Sequence, residues 1–192
     1  MGLTGSFGAG KSAVAQFFKR KGARVLASDR IAHEVFRKGN PVRQKICSLF
    51  GDPGALSRRK LAQLIFKNRT LRKRLESMVH PYVFRRIREE FRRAGGTAAV
   101  FVVEVPLLFE SGFDRACDRT VVVRAARGRV IQRLRRRKFS KAEIVSRWKA
   151  QMPEREKVRR ADYVVANSGS RAQMRASAEK VWNALVREKK GV

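Results

Sequence analysis

The feature that most constrains the fold of this chain is a glycine-rich segment near its start. Residues 5–12 read Gly-Ser-Phe-Gly-Ala-Gly-Lys-Ser, which matches the pattern G-x-x-x-x-G-K-[S/T] of a phosphate-binding P-loop. The glycines let successive backbone N–H groups point inward and form a concavity for an anion. In such a loop Lys11 reaches the β- and γ-phosphates of a nucleotide, and the Ser12 hydroxyl binds Mg²⁺. A flexible glycine turn is the alternative interpretation.

The residues around this segment favour a strand, a loop and a helix in that order. Val14, Phe17 and Phe18 recur at helical spacing, and we expect the helix to end near Gly22. The dipole at the start of that helix favours a bound phosphate. Four residues precede Gly5, so the first strand is predicted to be short, either because it is truncated or because the assigned start lies a few residues late.

The rest of the chain alternates apolar, strand-like runs with amphipathic helical segments. This alternation is typical of an α/β protein with a parallel sheet, and near-continuous valine runs suit strands that are covered on both faces. We predict five parallel strands flanked by helices, with the later four at residues 23–28, 98–105, 120–123 and 163–166. In the last segment one helical face carries core-type residues, namely Met174, Ala178, Val181, Trp182 and Leu185.

Two insertions interrupt the alternation. About 60 residues without a strand pattern separate the second and third strands, which is too long for an ordinary crossover. Apolar residues at helical spacing predict several helices there, with faces at Val42, Ile46 and Leu49, at Leu61, Leu64 and Ile65, at Leu71, Leu75, Met78 and Val79, and at Val83, Ile87 and Phe91. A second insertion, at residues 126–152, is arginine-rich and amphipathic. We interpret the first as a helical substrate lobe and the second as a lid that closes on phosphates.

The charge of the chain is extreme, with 46 basic and 16 acidic residues and a formal net charge of +30. Such a field attracts polyanions, from phosphorylated metabolites to nucleic acid. The basic residues are spread along the chain, which indicates that most of them lie on solvated helix faces. We therefore expect at most weak, nonspecific binding to nucleic acid. There is no 18-residue apolar run, no signal-peptide pattern and no C-x-x-C pair, so we expect a cytoplasmic protein without a membrane segment. The oligomeric state stays open.

Six short segments follow one another in a specific order and spacing. They are Gly-Leu-Thr-Gly at 2–5, Ser-Asp-Arg-Ile-Ala at 28–32, His-Pro at 80–81, Val-Pro-Leu-Leu-Phe-Glu at 105–110, Ala-Gln-Met-Pro at 150–153 and Asn-Ser-Gly-Ser at 167–170. Together with the P-loop they make the chain resemble the dephospho-CoA kinase family over nearly its whole length. Proteins of this family transfer the γ-phosphate of ATP to the 3′-hydroxyl of the ribose of 3′-dephospho-CoA, the last step of coenzyme A synthesis.

The resemblance implies one domain over residues 1–192, with a P-loop kinase core at 1–30, 92–125 and 153–192, a helical substrate lobe at 31–91 and an arginine-rich lid at 126–152. It implies ATP and Mg²⁺ as cofactors and dephospho-CoA as the substrate. The implied nucleotide contacts are Gly8, Ala9, Gly10, Lys11, Ser12, Ala13, Asn167 and Gly169. The implied metal contacts are Ser12 and Glu104, the substrate contacts are Thr4, Asp29, His80 and Pro106, and the catalytic residues are Asp29, Lys11, Arg133 and Arg137.

Several of these residues have an ordinary structural alternative. Asp29 comes at the end of the second predicted strand, where α/β sheets bind ligands, and we interpret it as the group that orients the attacking hydroxyl. It could instead cap a helix. Arg133 and Arg137 are four residues apart and are predicted to share a helix face, which would serve either phosphates or solvent. The pair at 80–81 could mark a helix boundary.

Two other functions stay open at this stage. One is another small-molecule or nucleotide kinase with the same architecture. The insertion between the second and third strands would distinguish such a kinase from a dephospho-CoA kinase. The other is a basic nucleic-acid-binding protein that uses ATP as a switch, which would require strong RNA or DNA binding that weakens steeply with salt.

Overall fold

The computed structural model describes residues 1–50, 68–94 and 100–190. Within these ranges the chain forms five strands, eight helices and one short 3-10 helix (Phe113–Ala116). The strands are β1 (Gly2–Gly5), β2 (Arg24–Ala27), β3 (Phe101–Glu104), β4 (Thr120–Arg124) and β5 (Tyr163–Ala166). The helices are α1 (Lys11–Arg20), α2 (Ser28–Glu34), α3 (Pro41–Phe50), α4 (Arg69–Arg93), α5 (Arg127–Arg136), α6 (Lys141–Lys149), α7 (Glu154–Arg160) and α8 (Arg171–Lys190).

The five strands form one sheet in the order β2-β3-β1-β4-β5. β1 lies in the middle and runs parallel to both neighbours, with Gly2 opposite Val103 on β3 and opposite Thr120 on β4. β5 is parallel to β4. The prediction of a five-stranded parallel α/β sheet is therefore confirmed. Because β1 is parallel to its neighbours, the loop that follows it lies at the carboxyl edge of the sheet, where open parallel sheets bind ligands.

Local sequence explains where individual elements begin. α6 starts with a capping box: the Ser140 hydroxyl accepts a hydrogen bond from the Glu143 backbone N–H, and the Glu143 carboxylate accepts one from the Ser140 backbone N–H. The first strand is as short as its sequence predicts, yet all four of its residues are buried. A four-residue strand is sufficient here because a neighbouring strand pairs with it on each side.

The chain divides into two compact units, of which the first comprises Met1–Leu26 and Ala94–Val192. Its core joins apolar residues of the strands and α1 to the inner face of α8. The α8 residues predicted to pack together are all buried, so that prediction is confirmed; they are Met174, Ala178, Val181, Trp182 and Leu185. Trp182 stacks on Phe18 of α1 with a centroid distance of 6.0 Å.

The second unit comprises Ala27–Arg93. Its small core consists of Val35, Ile46 and Leu75, from three different segments of the unit. Within this unit Glu34 connects α2 to α4, since its carboxylate accepts a hydrogen bond from the Tyr82 hydroxyl at 3.3 Å. The assignment of this unit to the substrate, and of residues 126–152 to a lid, stays a prediction.

Two helix boundaries differ from the expectations drawn from sequence. The apolar faces predicted at residues 71–79 and 83–91 lie on one helix, α4, which continues through Pro81, so the interpretation of residues 80–81 as a helix boundary is wrong. Proline removes one backbone donor from a helix, and the other hydrogen bonds of a 25-residue helix span that gap. Asp29 is not an N-cap, because the N-cap of α2 is Ala27 and Asp29 lies in the first turn.

Part of the predicted pattern lies outside the described residues. This applies to the helical face at Leu61, Leu64 and Ile65 and to residues 98 and 99 of the third predicted strand. Among the helices that are described, none is both long enough and apolar enough to cross a membrane.

Candidate active site

The loop between β1 and α1 closes around its own lysine. Lys11 Nζ donates hydrogen bonds to the carbonyl oxygens of Gly5 at 2.9 Å and Ser6 at 3.4 Å. The Ala9 N–H donates to Ser6 O at 3.0 Å, which bends the loop back on itself. The loop therefore holds a positive charge against its backbone at the N-terminal end of α1, where the helix dipole also favours an anion.

Two glycines of this loop are required by close approach as well as by backbone conformation. Gly8 has a φ of 81°, and a Cβ there would stand 2.7 Å from methyl carbons of Val130 and Leu134 on α5. Gly10, which caps α1 with a φ of 96°, would place a Cβ 2.1 Å from Asn167 Nδ2. The motif spacing thus allows α5 and the turn after β5 to pack directly on the loop backbone.

The two oxygens predicted to bind a metal lie together. Ser12 Oγ donates a hydrogen bond to Glu104 Oε1 at 3.0 Å, although the two residues are 92 positions apart. Glu104 is the last residue of β3, next to β1 in the sheet. A hydroxyl and a carboxylate are oxygen ligands of the kind that Mg²⁺ uses when nucleotide phosphates and water supply the rest. The donor set therefore fits Mg²⁺ in its chemistry.

A buried lysine anchors the segment that follows β3. Lys157 on α7 is fully buried, and its ammonium donates to Pro106 O at 3.0 Å and pairs with Glu110 Oε1 at 2.9 Å. The Thr4 hydroxyl donates to the same Pro106 carbonyl at 3.2 Å, and Glu110 Oε1 also accepts from the Met152 N–H at 2.8 Å. Thr4 is itself fully buried, and its hydroxyl helps to hold the Pro106 segment in place. A contact between Thr4 and the substrate stays a prediction.

Asn167 joins the turn after β5 to the P-loop and to α5. Its side chain is 7% exposed, and Nδ2 donates to Ala9 O at 2.7 Å. Arg133 Nη2 in turn donates to Asn167 O at 2.9 Å and to Oδ1 at 3.4 Å. Arg137 lies just past the end of α5 and is exposed. The predicted pair of lid arginines is thus split, with Arg133 beside the loop and Arg137 at the surface.

Gly169 and Ala13 are the remaining residues predicted to contact the nucleotide. Gly169 is in the turn between β5 and α8, where a Cβ would stand 1.9 Å from Gln173 Oε1. That oxygen accepts a hydrogen bond from the Ser170 N–H at 2.8 Å, so the turn is ordered by its own side chains. Ala13 lies in the first turn of α1, with its N–H donating to Gly10 O. Nucleotide contacts by Gly169 and Ala13 stay predictions.

Phe7 lies at a position of the motif where any residue is allowed, yet it is surrounded by residues 139–151. Its backbone N–H donates to Gln151 Oε1 at 2.8 Å, and its carbonyl accepts from Trp148 Nε1 at 3.0 Å. Its ring meets Phe139 edge to face at 5.2 Å, and the Arg147 guanidinium stands 4.6 Å from the ring centroid. No sequence pattern points to Trp148 or Lys157, whereas Gln151 lies in the segment at 150–153 that contributes to the family resemblance.

The remaining predicted residues, Asp29 and His80, belong to the second unit. Asp29 comes two residues after β2. His80 stacks on Phe84 with a centroid distance of 5.8 Å, and partial burial lowers the pKa of its imidazole, against a smaller opposing effect of Glu76. Burial disfavours the charged form, so His80 is held toward the neutral imidazole.

The chain is similar to known proteins both in sequence and in structure. The sequence model of a protein family described as dephospho-CoA kinase matches residues 1–173. A dephospho-CoA kinase of Aquifex aeolicus is 37% identical over 193 residues, covering 98% of each chain. A solved structure from Thermus thermophilus superposes with a TM-score of 0.84 at 36% identity, covering 95% of each chain. A dephospho-CoA kinase structure from Campylobacter jejuni superposes with a TM-score of 0.68 at 26% identity, covering 97% of this chain and 96% of that one.

Proposed function

The chain belongs to the dephospho-CoA kinase family, and from this premise we infer that it transfers the γ-phosphoryl group of ATP to the 3′-hydroxyl of dephospho-CoA. The products are coenzyme A and ADP, and the reaction is the last step of coenzyme A biosynthesis. The observation that carries this inference is the match of the family over residues 1–173, which includes the P-loop, the end of β3 and the turn after β5.

The nucleotide is bound, in this proposal, by the P-loop and the turn after β5. Backbone N–H groups of residues 8–13 cradle the phosphates, and the Lys11 ammonium leaves the loop carbonyls to bind the β- and γ-phosphates. Asn167 and Gly169 border the adenine. The contact of Asn167 with Ala9 O supports this assignment, because it holds the turn after β5 against the P-loop.

Magnesium would be held by Ser12 and Glu104, whose oxygens lie 3.0 Å apart. When bound, Mg²⁺ neutralises charge on the phosphates. Ser12 would contribute a neutral oxygen and Glu104 a carboxylate. The β3 strand end fixes Glu104, and the first turn of α1 fixes Ser12, so neither ligand depends on a mobile loop.

The acceptor hydroxyl is oriented by Asp29 in this mechanism. Asp29 accepts a hydrogen bond from the 3′-hydroxyl and takes its proton late, as a bond forms between the hydroxyl oxygen and the γ-phosphorus. The bond from that phosphorus to the bridging oxygen breaks, and the electron pair leaves with ADP. His80, Thr4 and Pro106 are proposed to contact the acceptor on the strength of the family resemblance.

We propose that Arg133 is the lid residue that stabilises the transferring phosphoryl group. Its guanidinium is held by Asn167 beside Gly10, the last glycine of the P-loop. A planar guanidinium can donate two parallel hydrogen bonds to phosphate oxygens. Arg137 lies past the end of α5 and is exposed, and we therefore propose a larger role for Arg133.

The experiment that tests this function is ADP release from ATP with and without dephospho-CoA, with the acceptor product identified by mass spectrometry. Turnover that depends on dephospho-CoA, with one phosphoryl group added at the 3′-position, is the expected result. ATP turnover that dephospho-CoA does not accelerate would refute the proposal.

A panel of other acceptors in the same assay separates the alternatives. Preference for a nucleoside monophosphate or another small alcohol would identify a different kinase of this architecture. ATP hydrolysis stimulated by RNA, together with RNA binding whose affinity falls steeply with salt, would identify a nucleic-acid-binding ATPase. Cell fractionation would test the predicted cytoplasmic location.

A further inference from the structure

We propose that Trp148 and Gln151 are positioning residues that hold the P-loop in its nucleotide-binding shape by binding the two peptide groups that flank Phe7. This inference rests on the proposed function, since it concerns the nucleotide site of that reaction. It adds a role for two residues that lie outside the P-loop motif and outside the reacting groups.

The first support is the hydrogen bonding of Phe7. Its N–H donates to Gln151 Oε1 at 2.8 Å, and its carbonyl accepts from Trp148 Nε1 at 3.0 Å. Both distances are those of well-formed hydrogen bonds. One peptide group lies before the Phe7 Cα and the other after it, so the two contacts together restrict the rotation of the backbone in the middle of the loop.

The second support is the packing of the Phe7 ring. Phe139 meets it edge to face at 5.2 Å, and the Arg147 guanidinium lies over both rings, 4.6 Å from the Phe7 centroid and 5.4 Å from the Phe139 centroid. Trp148 is contacted in turn by Arg127, whose guanidinium stands 5.8 Å from the centroid of the indole ring. The loop is therefore held through a side chain as well as through its backbone.

The physical reason for such a clamp is the glycine content of the loop. Glycine loses more conformational freedom on ordering than any other residue, and Gly5, Gly8 and Gly10 all lie within six positions. A free loop of this composition would have to be ordered when the nucleotide binds, at the expense of affinity. Contacts that order the loop beforehand raise nucleotide affinity without touching the nucleotide.

This mechanism predicts which kinetic constant changes. The backbone N–H groups of the P-loop bind phosphates in the ground state and in the transition state alike, so loss of backbone order weakens uniform binding. The Kd and KM for ATP should rise, whereas kcat and the KM for dephospho-CoA should stay close to those of the wild type. A merely structural role would lower the melting temperature and leave the ATP affinity of the folded protein unchanged.

The experiment compares four variants. Gln151→Met removes the acceptor for the Phe7 N–H, and Gln151→Glu keeps an acceptor oxygen at the same place. Trp148→Phe removes the indole N–H and keeps an aromatic ring. The matched control is Glu143→Met, because Glu143 Oε2 also accepts a backbone N–H at 2.8 Å, from Ser140, but within the N-terminal cap of α6. For each variant, ATP affinity is measured with a fluorescent ATP analogue, alongside steady-state kinetics and thermal melting.

We expect Gln151→Met and Trp148→Phe each to raise the Kd for ATP by about threefold to tenfold, the range for loss of one net hydrogen bond. Gln151→Glu should restore nearly wild-type affinity, and Glu143→Met should lower the melting temperature with the ATP affinity unchanged. Unchanged ATP affinity in both Gln151→Met and Trp148→Phe would overturn the inference, as would a Gln151→Glu variant as weak as Gln151→Met. If the wild type binds ATP but does not phosphorylate dephospho-CoA, the proposed function fails and the ATP titrations still decide the inference.

Discussion

Replacement of Lys157 by methionine should destabilise the first unit strongly, although Lys157 belongs to no nucleotide-binding motif. The ammonium is fully buried and has two partners, Pro106 O at 3.0 Å and Glu110 Oε1 at 2.9 Å. Methionine fills much of the same volume but leaves the Glu110 carboxylate without its counter-charge. The Pro106 carbonyl would keep only the hydrogen bond from the Thr4 hydroxyl.

The size of the effect follows from what remains around Glu110. Removal of one partner from a buried ion pair costs about 3–5 kcal/mol. Glu110 keeps the hydrogen bond from the Met152 N–H, and its side chain is 21% exposed, so water solvates part of the charge. We therefore expect the lower end, about 3 kcal/mol of unfolding free energy. At about 2–4 °C per kcal/mol for a chain of this size, the melting temperature should fall by roughly 6–12 °C.

Urea unfolding followed by tryptophan fluorescence is the appropriate assay. Both tryptophans of the chain, Trp148 and Trp182, lie in the first unit, so the signal reports the unit that contains Lys157. The second variant is Lys157→Met combined with Glu110→Gln, which removes the unpaired charge and keeps an acceptor for the Met152 N–H. This double variant should recover part of the lost stability. A Lys157→Met variant within about 0.5 kcal/mol of the wild type, the range of ordinary surface substitutions, would refute the reasoning.

Four further predictions concern the site. Lys11→Ala should leave the protein folded and reduce kcat by about 10²–10³-fold, the range for loss of one electrostatic group at the reacting centre, and near-normal turnover would exclude the lysine from catalysis. Asp29→Asn should retain ATP affinity in a nucleotide titration while turnover of dephospho-CoA falls by about 10²-fold or more, so parallel loss of ATP binding would contradict the assignment. Arg133→Lys should reduce kcat/KM more than Arg137→Lys, because Arg133 is held beside the P-loop by Asn167. Equal, small effects would indicate that both arginines belong to a solvated basic surface and contact no phosphate. Burial lowers the pKa of His80 in the folded state, so the unfolded chain binds more protons than the folded chain as the pH falls through about 6.5. The unfolding free energy should therefore fall between pH 7 and pH 5, and His80→Gln should flatten that part of the profile in urea titrations followed by circular dichroism.

Much of this fold can be predicted from the sequence because its signals are local. The P-loop pattern demands a strand before it and a helix after it, and β1 and α1 are found there. Valine runs predict strands covered on both faces, and Val121, Val122 and Val123 of β4 are fully buried. Spacing of three and four residues predicts the inner face of α8. Each of these features depends on a short motif or on side-chain periodicity, and both are properties of one segment at a time.

Helix boundaries are less predictable, since they depend on the balance between a local preference and the hydrogen bonds of the whole helix. Pro81 is a helix breaker by propensity, yet α4 continues through it. Arg137 follows Arg133 at helical spacing, yet α5 ends one residue before it. The residue type suggests the wrong boundary in the first case, and the spacing does so in the second.

The contacts that organise the site were decided by tertiary structure alone. Ser12 meets Glu104 across 92 positions because β1 and β3 are neighbours in the sheet, and Asn167 reaches Ala9 across 158 positions because the turn after β5 folds onto the P-loop. A fully buried Lys157 cannot be recognised from its neighbours in a helix rich in charge. The amino-acid sequence by itself determined the phosphate-binding loop, the α/β class and the family, since these reside in short patterns. Strand order and side-chain packing decided which distant residues support that loop, because partners far apart in sequence leave no periodic signal in either segment.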